Sequence, residues 1–205
     1  NGVNGITVTR SSNANVQSFS IRGASGVAGG GIGNRVLLLL DGRPAITPES
    51  GGALWNLVPL AAIERIEVIK GAYSSLYGSS AMGGIVNVIT RTPDTASHSD
   101  LNLHYGAYGP APAYTGYKRY NDFFGAEFIT SRKLNKWSYL FNFAGKSNDG
   151  NREQSSFNLY NGYGKFKFDF SPNRSLQISA MYNDIFNDTP ATWLSTTEAY
   201  SVADY

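Results

Sequence analysis

No cysteine occurs in the 205 residues, so disulfide frameworks and thiolate metal sites are excluded and no redox compartment is implied. Charge is sparse as well: Asp, Glu, Lys and Arg make up 16% of the chain, and the formal net charge is +2. A nucleic-acid binder normally carries a basic stripe, and no such stripe is present. Long hydrophobic runs are also missing. The most apolar stretch, RVLLLLDG at 35–42, has the length of a strand and falls far short of the ~20 residues of a membrane helix. Neither an initiator Met nor a basic-apolar leader precedes NGVNGITVTRSS, which reads as the opening of a fragment or a processed chain.

Catalytic patterns are absent in the same way. GGGIGNR at 29–35 does not complete a dinucleotide-binding G-x-G-x-x-G. GKS at 145–147 lacks the upstream glycine of a phosphate loop. The serines lack a nucleophile elbow, and the two histidines, His98 and His104, stand outside any zinc-site pattern. The expectation is no enzyme, no cofactor and no metal, and a soluble nucleotide-dependent enzyme remains only as a remote rival.

What is present is 41% hydrophobic and 13% aromatic residues, too many for a linker or a disordered tail. They fall into two halves with different patterns. Composition shifts at RTPDTASHSD, 91–100, where Pro93 and a Ser/Thr/Asp cluster mark a connection. The expected domains are 1–93 and 94–205. The first half reads as small α+β. NRVLLLLDG predicts a strand ending in an Asp41-Gly42 turn. VPLAAIER predicts one or two helical turns behind Pro59. RIEVIKG alternates, and GIVNVITR is apolar at most positions, as a strand covered on both faces would be.

The second half alternates strictly in five segments, with Leu101, Phe124, Trp137, Phe166 and Leu176 each opening an apolar, mostly aromatic-rich face of period two. Its connections also alternate: GPAPAYTGYKRYN and KSNDGNREQSS are long and polar, SRKLNK and SPNRS short. Sorted loop lengths on an aromatic meander outline an outer-membrane barrel, although a soluble antiparallel sheet with one buried face alternates too. Charge placement favours the barrel. A Lys on a barrel's lipid face costs roughly 2–4 kcal/mol at the midplane, and Glu127, Lys165, Lys167 and Asp169 all take the parity opposite to the aromatics. Five strands are too few to close such a barrel, which takes about eight or more, so it is expected to continue beyond Tyr205.

FSIRG (19–23), NRVLLLLDGRP (34–44), IERIEVIKG (63–71) and SSLYGSSAMGGIVNVITRTP (74–93) follow one another as in the plug domain of the TonB-dependent outer-membrane receptors, which this half resembles. One departure is Lys70, where the family usually has Arg; another is that the family's energy-coupling box lies upstream of this chain's first residue. The resemblance implies an α+β plug followed by antiparallel strands of a transmembrane β-barrel, incomplete in this chain. The small residues of YSSLYGSSAMGG would then let the plug backbone approach the barrel wall.

It further implies energy-dependent import of a scarce ligand across the outer membrane of a Gram-negative bacterium, in partnership with the TonB complex and membrane lipid. A ferric siderophore is the commonest case, with cobalamin, haem or a saccharide as alternatives. A surface docking receptor for phage or bacteriocin is the rival of a different class. Ligand contacts are expected at plug apices (Arg43, Glu49, Trp55) and in the first outer loop (Tyr114, Tyr117, Lys118, Arg119), where charge or a flat ring suits an anionic chelate. Arg22, Glu64, Arg65, Glu67 and Lys70 are expected either to make ionic contacts from plug to barrel wall or to be ordinary strand charges facing solvent.

Overall fold

A computed structural model of the chain describes residues 6–10, 17–21, 35–46, 52–71, 74–113, 117–188 and 201. The chain divides into two compact units, Asn1–Thr92 and Pro93–Tyr205.

The first unit opens with an antiparallel pair, β1 (Ile6–Arg10) and β2 (Gln17–Ile21). A four-stranded sheet follows. It is built from β3 (Val36–Leu40), β4 (Arg43–Pro44), β5 (Ile63–Lys70) and β6 (Gly84–Thr90), in the spatial order β4-β3-β6-β5. β3 and β6 are parallel and central, and all five residues of β3 are buried. Two covered faces explain why VLLLL and GIVNVIT run apolar without alternating. The β3–β4 hairpin turns on Asp41 and Gly42, whose φ values of 49° and 78° are the left-handed pair such a two-residue turn needs.

Leu37, Leu39, Ala81 and Ile85 form the core cluster, with Ile46 packed against it. Each buried Leu or Ile contributes roughly 1.5–3 kcal/mol of apolar transfer. The helical turns expected at VPLAAIER contract to one 3-10 turn, Leu60–Ala62, with Pro59 as its N-cap. Strand β5 begins at Ile63 because Arg65 to Lys70 pair residue by residue with β6. A short helix, α1 (Ser74–Tyr77), precedes β6. At the mouth of β6, Gly84 has φ 142°, and a Cβ there would meet the Ile69 carbonyl oxygen at 2.5 Å. Only glycine fits that approach of strand to strand.

The second unit is one antiparallel meander: β7 (His98–Ala107), β8 (Asp122–Leu134), β9 (Trp137–Asn148), β10 (Phe157–Ser171) and β11 (Arg174–Asn187). Each strand pairs with its sequence neighbour. Two-residue turns join β8 to β9 and β10 to β11 at one end, and 108–121 and 149–156 form the long connections at the other. Period-two alternation gives the sheet two unlike faces. One exposes aromatic and aliphatic side chains: Phe143 is 56% and Ile178 58% accessible. At its short-turn end Trp137 packs against Phe166 and Phe168, with ring centroids 4.8 and 4.1 Å apart.

The opposite face holds the charges the sequence placed there. Asp169 bridges to Lys167 at 2.9 Å and to Lys133 at 3.5 Å, and the Asn142 amide donates to Glu127 at 3.2 Å. That face is more mixed than the sequence reading of a wet surface, since Ile129, Leu140, Leu159 and Tyr163 are buried on it, as is Lys165. No helix among the described residues is long and apolar enough to cross a membrane, which says nothing of strands.

Candidate functional site

The long-connection end of the second unit carries a pocket of about 450 Å3 whose lining is mostly polar. Three chain segments build it. The first connection supplies Tyr117, Arg119 and Asn121. The second supplies Asp149, Arg152, Glu153, Gln154 and Ser156, and Asp188 follows β11.

Backbone pairing closes the neck of the first connection and ties the start of the second to the start of β8. Tyr108 N–H donates to the Asn121 carbonyl at 2.9 Å, and Asp149 N–H donates to the Asp122 carbonyl at 3.0 Å. The Asp149 carboxylate accepts from Asp122 N–H at 3.2 Å. Buried Asn121 then joins the two loops, its amide donating to the Tyr117 hydroxyl at 2.8 Å and to the Gly150 carbonyl at 2.7 Å. Gly150 sits at φ 76°, and a Cβ there would strike the Ser155 hydroxyl and carbonyl oxygens. Ser155 folds the tip, donating to the Arg152 carbonyl at 2.7 Å while its hydroxyl accepts from Arg152 N–H. Ser156 holds the far wall through a 2.6 Å bond to the Asp188 carboxylate.

The lining thus gathers two guanidiniums, three carboxylates, two carboxamides, a hydroxyl and a phenol. Asp149 and Asp188 already accept bonds, from Asp122 N–H and from the Ser156 hydroxyl. Arg119 and Arg152 supply planar forks suited to carboxylate or phenolate groups, and Tyr117 supplies a ring. The arrangement can bind a polar, oxygen-rich ligand. No cluster able to hold a metal ion occurs among the described residues.

Of the residues singled out in the sequence, Tyr117 and Arg119 meet in this pocket, and Lys118 lies exposed between them. Arg43 and Trp55 belong to the first unit, Arg43 exposed beside the Asp41-Gly42 turn and Trp55 half-buried in a 3-10 turn. Arg22, Glu49 and Tyr114 lie outside the described residues. The β5 charges find partners within their own unit. Arg65 bridges Glu67 at 2.9 Å and Glu64 at 3.2 Å. Glu67 accepts from Asn87, and Glu64 from Thr92 N–H, both at 3.2 Å. Lys70 is half-buried at the strand's end.

The sequence reading missed Asn121, Asp149, Arg152, Glu153, Gln154, Ser156 and Asp188. A partial signal was available: of the four Asn-Asp pairs in the sequence, those at 121–122, 148–149 and 187–188 fall where a strand meets the long-connection end, while 183–184 lies inside β11. Short side chains that bond to nearby backbone favour such loop closures.

A plug-like mixed sheet followed by an antiparallel meander with sorted connections and one aromatic face is the architecture of the plug and barrel strands of TonB-dependent receptors. Residues 1–85 match the TonB-dependent Receptor Plug Domain family, which makes this part of the chain a TonB-dependent receptor plug. It is 43% identical over 74 residues to the vitamin B12 transporter BtuB of Vibrio vulnificus, a match covering 36% of this chain and 12% of that protein. It is also 43% identical over 97 residues to the iron-regulated outer membrane virulence protein of Vibrio cholerae, covering 43% of this chain and 13% of the relative. Among solved structures, the unliganded ferric citrate transporter FecA superposes with a TM-score of 0.71 at 20% identity, over 91% of this chain and 28% of that one. The chain therefore matches only a fraction of the length of these relatives.

Proposed function

We propose that the chain forms part of a transporter that imports a scarce ligand across the outer membrane of a Gram-negative bacterium, driven through TonB. In this reading 1–93 is the plug and 94–205 supplies barrel strands. The aromatic face meets lipid, and the long connections face outward. The ligand is a ferric siderophore. It is caught by the loop pocket around Tyr117, Arg119 and Arg152, with Tyr114 on the same loop and with Arg43, Glu49 and Trp55 on the plug as further contacts. Arg22, Glu64, Arg65, Glu67 and Lys70 contribute charges that hold the plug until it is moved.

The observation that carries the reading is the polar pocket, built by both long connections at one end of an aromatic-faced meander that follows a plug domain. Guanidiniums beside a tyrosine suit an anionic, aromatic chelate. Cobalamin is the second reading, favoured by the similarity to a vitamin B12 transporter.

The test is the abundance of the full-length protein in outer-membrane fractions with and without an iron chelator, followed by binding of ferric siderophores and of cobalamin. Induction together with ferric-siderophore binding supports the first reading. Constant abundance with cobalamin binding replaces it with the second.

A further inference from the structure

On the charged face of the five-stranded sheet, two glycines are overlain by rings. Gly106 on β7 pairs with Phe123 on β8, and one row nearer the short turns His104 on β7 pairs with Gly125 on β8. A Cβ on Gly106 would land on the Phe123 ring, and a Cβ on Gly125 on the His104 imidazole. Each ring therefore reaches across to the neighbouring strand and lies along the sheet instead of standing up from it, which a glycine beneath it allows. The rings lean in opposite directions on successive rows, about 7 Å apart along the strands, and together cover this end of the β7–β8 pair.

A cation stands beside them. Lys146 on β9 pairs with Gly125, so one row runs His104, Gly125, Lys146. Cross-strand neighbours on one face lie about 4.5–5.5 Å apart, which sets the lysine stem next to the imidazole tip. No carboxylate among the described residues bridges Lys146. Glu127, one row nearer the short turns, already accepts from the Asn142 amide at 3.2 Å. Toward the long connections the same surface leads to the loop pocket. Asn148 pairs with Phe123 and accepts from the Tyr108 hydroxyl at 3.0 Å, Tyr108 meets the Phe123 ring edge-on at 5.6 Å between centroids, and the next residue, Asp149, lines the pocket. His104 is exposed, and Phe123 and Lys146 are half-buried.

We propose that His104, Phe123 and Lys146 form a second ligand station, inward of the loop pocket, for an anionic aromatic ring on one arm of the chelate. The proposal rests on the transport reading above and narrows its substrate class to ferric siderophores whose iron is held by catecholate or phenolate rings. The side chains select that chemistry. Aromatic pairs gain from offset or edge-to-face contact beyond the area they bury. The imidazole offers an N–H to a ring oxygen in either tautomer, and the ammonium attracts the ring's charge. An aliphatic hydroxamate arm has no ring to set against His104 and Phe123. The loop pocket catches the chelate through Arg119 and Arg152, and the station holds one of its arms.

The test titrates the full-length receptor, in mild detergent, with a ferric tris-catecholate and with an aliphatic ferric trihydroxamate. His104→Ala and Lys146→Met alter the station, Asn102→Ala changes the same face of β7 outside it, and Arg119→Ala reads the loop pocket. Heat resistance of the folded band in gels establishes that each variant is assembled. The two station variants are expected to weaken the tris-catecholate about tenfold and the trihydroxamate by less than about twofold, with Asn102→Ala unchanged for both. The station is overturned if Arg119→Ala alone weakens the tris-catecholate, which leaves the loop pocket standing by itself. Equal losses from Asn102→Ala, equal losses for the trihydroxamate, or a wild type that prefers the trihydroxamate overturn it as well. A wild type that binds neither chelate overturns the siderophore reading and the station with it, so the two failures are told apart.

Discussion

The side-chain amide of Asn121 donates to the Gly150 carbonyl at 2.7 Å across 29 residues of sequence, tying the first long connection to the second. With its bond to the Tyr117 hydroxyl, this makes Asn121 the residue that sets the pocket's shape. Asn121→Leu leaves the Gly150 carbonyl and the tyrosine without that donor, at a cost of about 1–3 kcal/mol for a buried unsatisfied group. Ligand affinity is expected to fall about tenfold while the barrel assembles normally, as read by binding isotherms alongside resistance of the folded band to heating in gels.

Arg119 and Arg152 present the pocket's positive charge. Substituting either with Ala is expected to weaken an anionic ferric siderophore by about 1.5–3 kcal/mol, the range for hydrogen bonds to charged groups. Lys in place of Arg should restore only part of the loss, since the planar fork is gone. Glu153→Gln should leave affinity unchanged or raise it. Titrations at two salt concentrations check both the order and the screening.

In the first unit, the Asp41 carboxylate accepts from Thr90 N–H at 2.8 Å and from the Thr90 hydroxyl at 2.7 Å. It closes the end of β6 just before the chain leaves the sheet. Asp41→Ala takes both acceptors away from buried Thr90 and is expected to cost about 1.5–3 kcal/mol. Hydrogen exchange at the Thr90 amide should accelerate strongly, and exchange in β3 only slightly.

Gly84→Ala drives a methyl group into the Ile69 carbonyl and the Ile21 side chain. A loss of about 1–3 kcal/mol is expected, as for overpacking of a close contact. Gly109→Ala, with open space around it, should be neutral. Limited proteolysis of the plug in the intact receptor compares the two.

The two faces of the second unit make opposite forecasts for one substitution. Ile178→Lys places a charge on the aromatic face and is expected to cost about 2–4 kcal/mol of assembly stability if that face meets lipid near the midplane. Gln177→Lys, one residue earlier on the other face, should be tolerated. The fraction of folded receptor in outer membranes measures both.

Most of the second unit was legible because its signal is local. Alternation at Trp137, Tyr139, Phe141 and Phe143 gives strand and face together, and the short segments around Asn135 and Pro172 mark the tight turns. The Asp41-Gly42 turn was legible for the same reason. The parallel pairing of β3 with β6 was not, because Val36 and Gly84 stand far apart in sequence and no local pattern couples them. VPLAAIER looked helical until sheet pairing drew Ile63 onward into β5, a tertiary preference overriding a local one. The pocket was half legible. Tyr117 and Arg119 stood out by chemistry, but Asp149, Arg152 and Asp188 join them only once three loop necks meet, and that depends on strand register.

Uptake of radiolabelled ligand by the full-length receptor, in cells with and without TonB, tests the account most directly. The ligand is the ferric siderophore or cobalamin that the binding screen returns. Accumulation is expected to require TonB and to be reduced by Arg119→Ala at sub-saturating ligand. Equal accumulation in both strains, or surface binding with no accumulation in either, would contradict it.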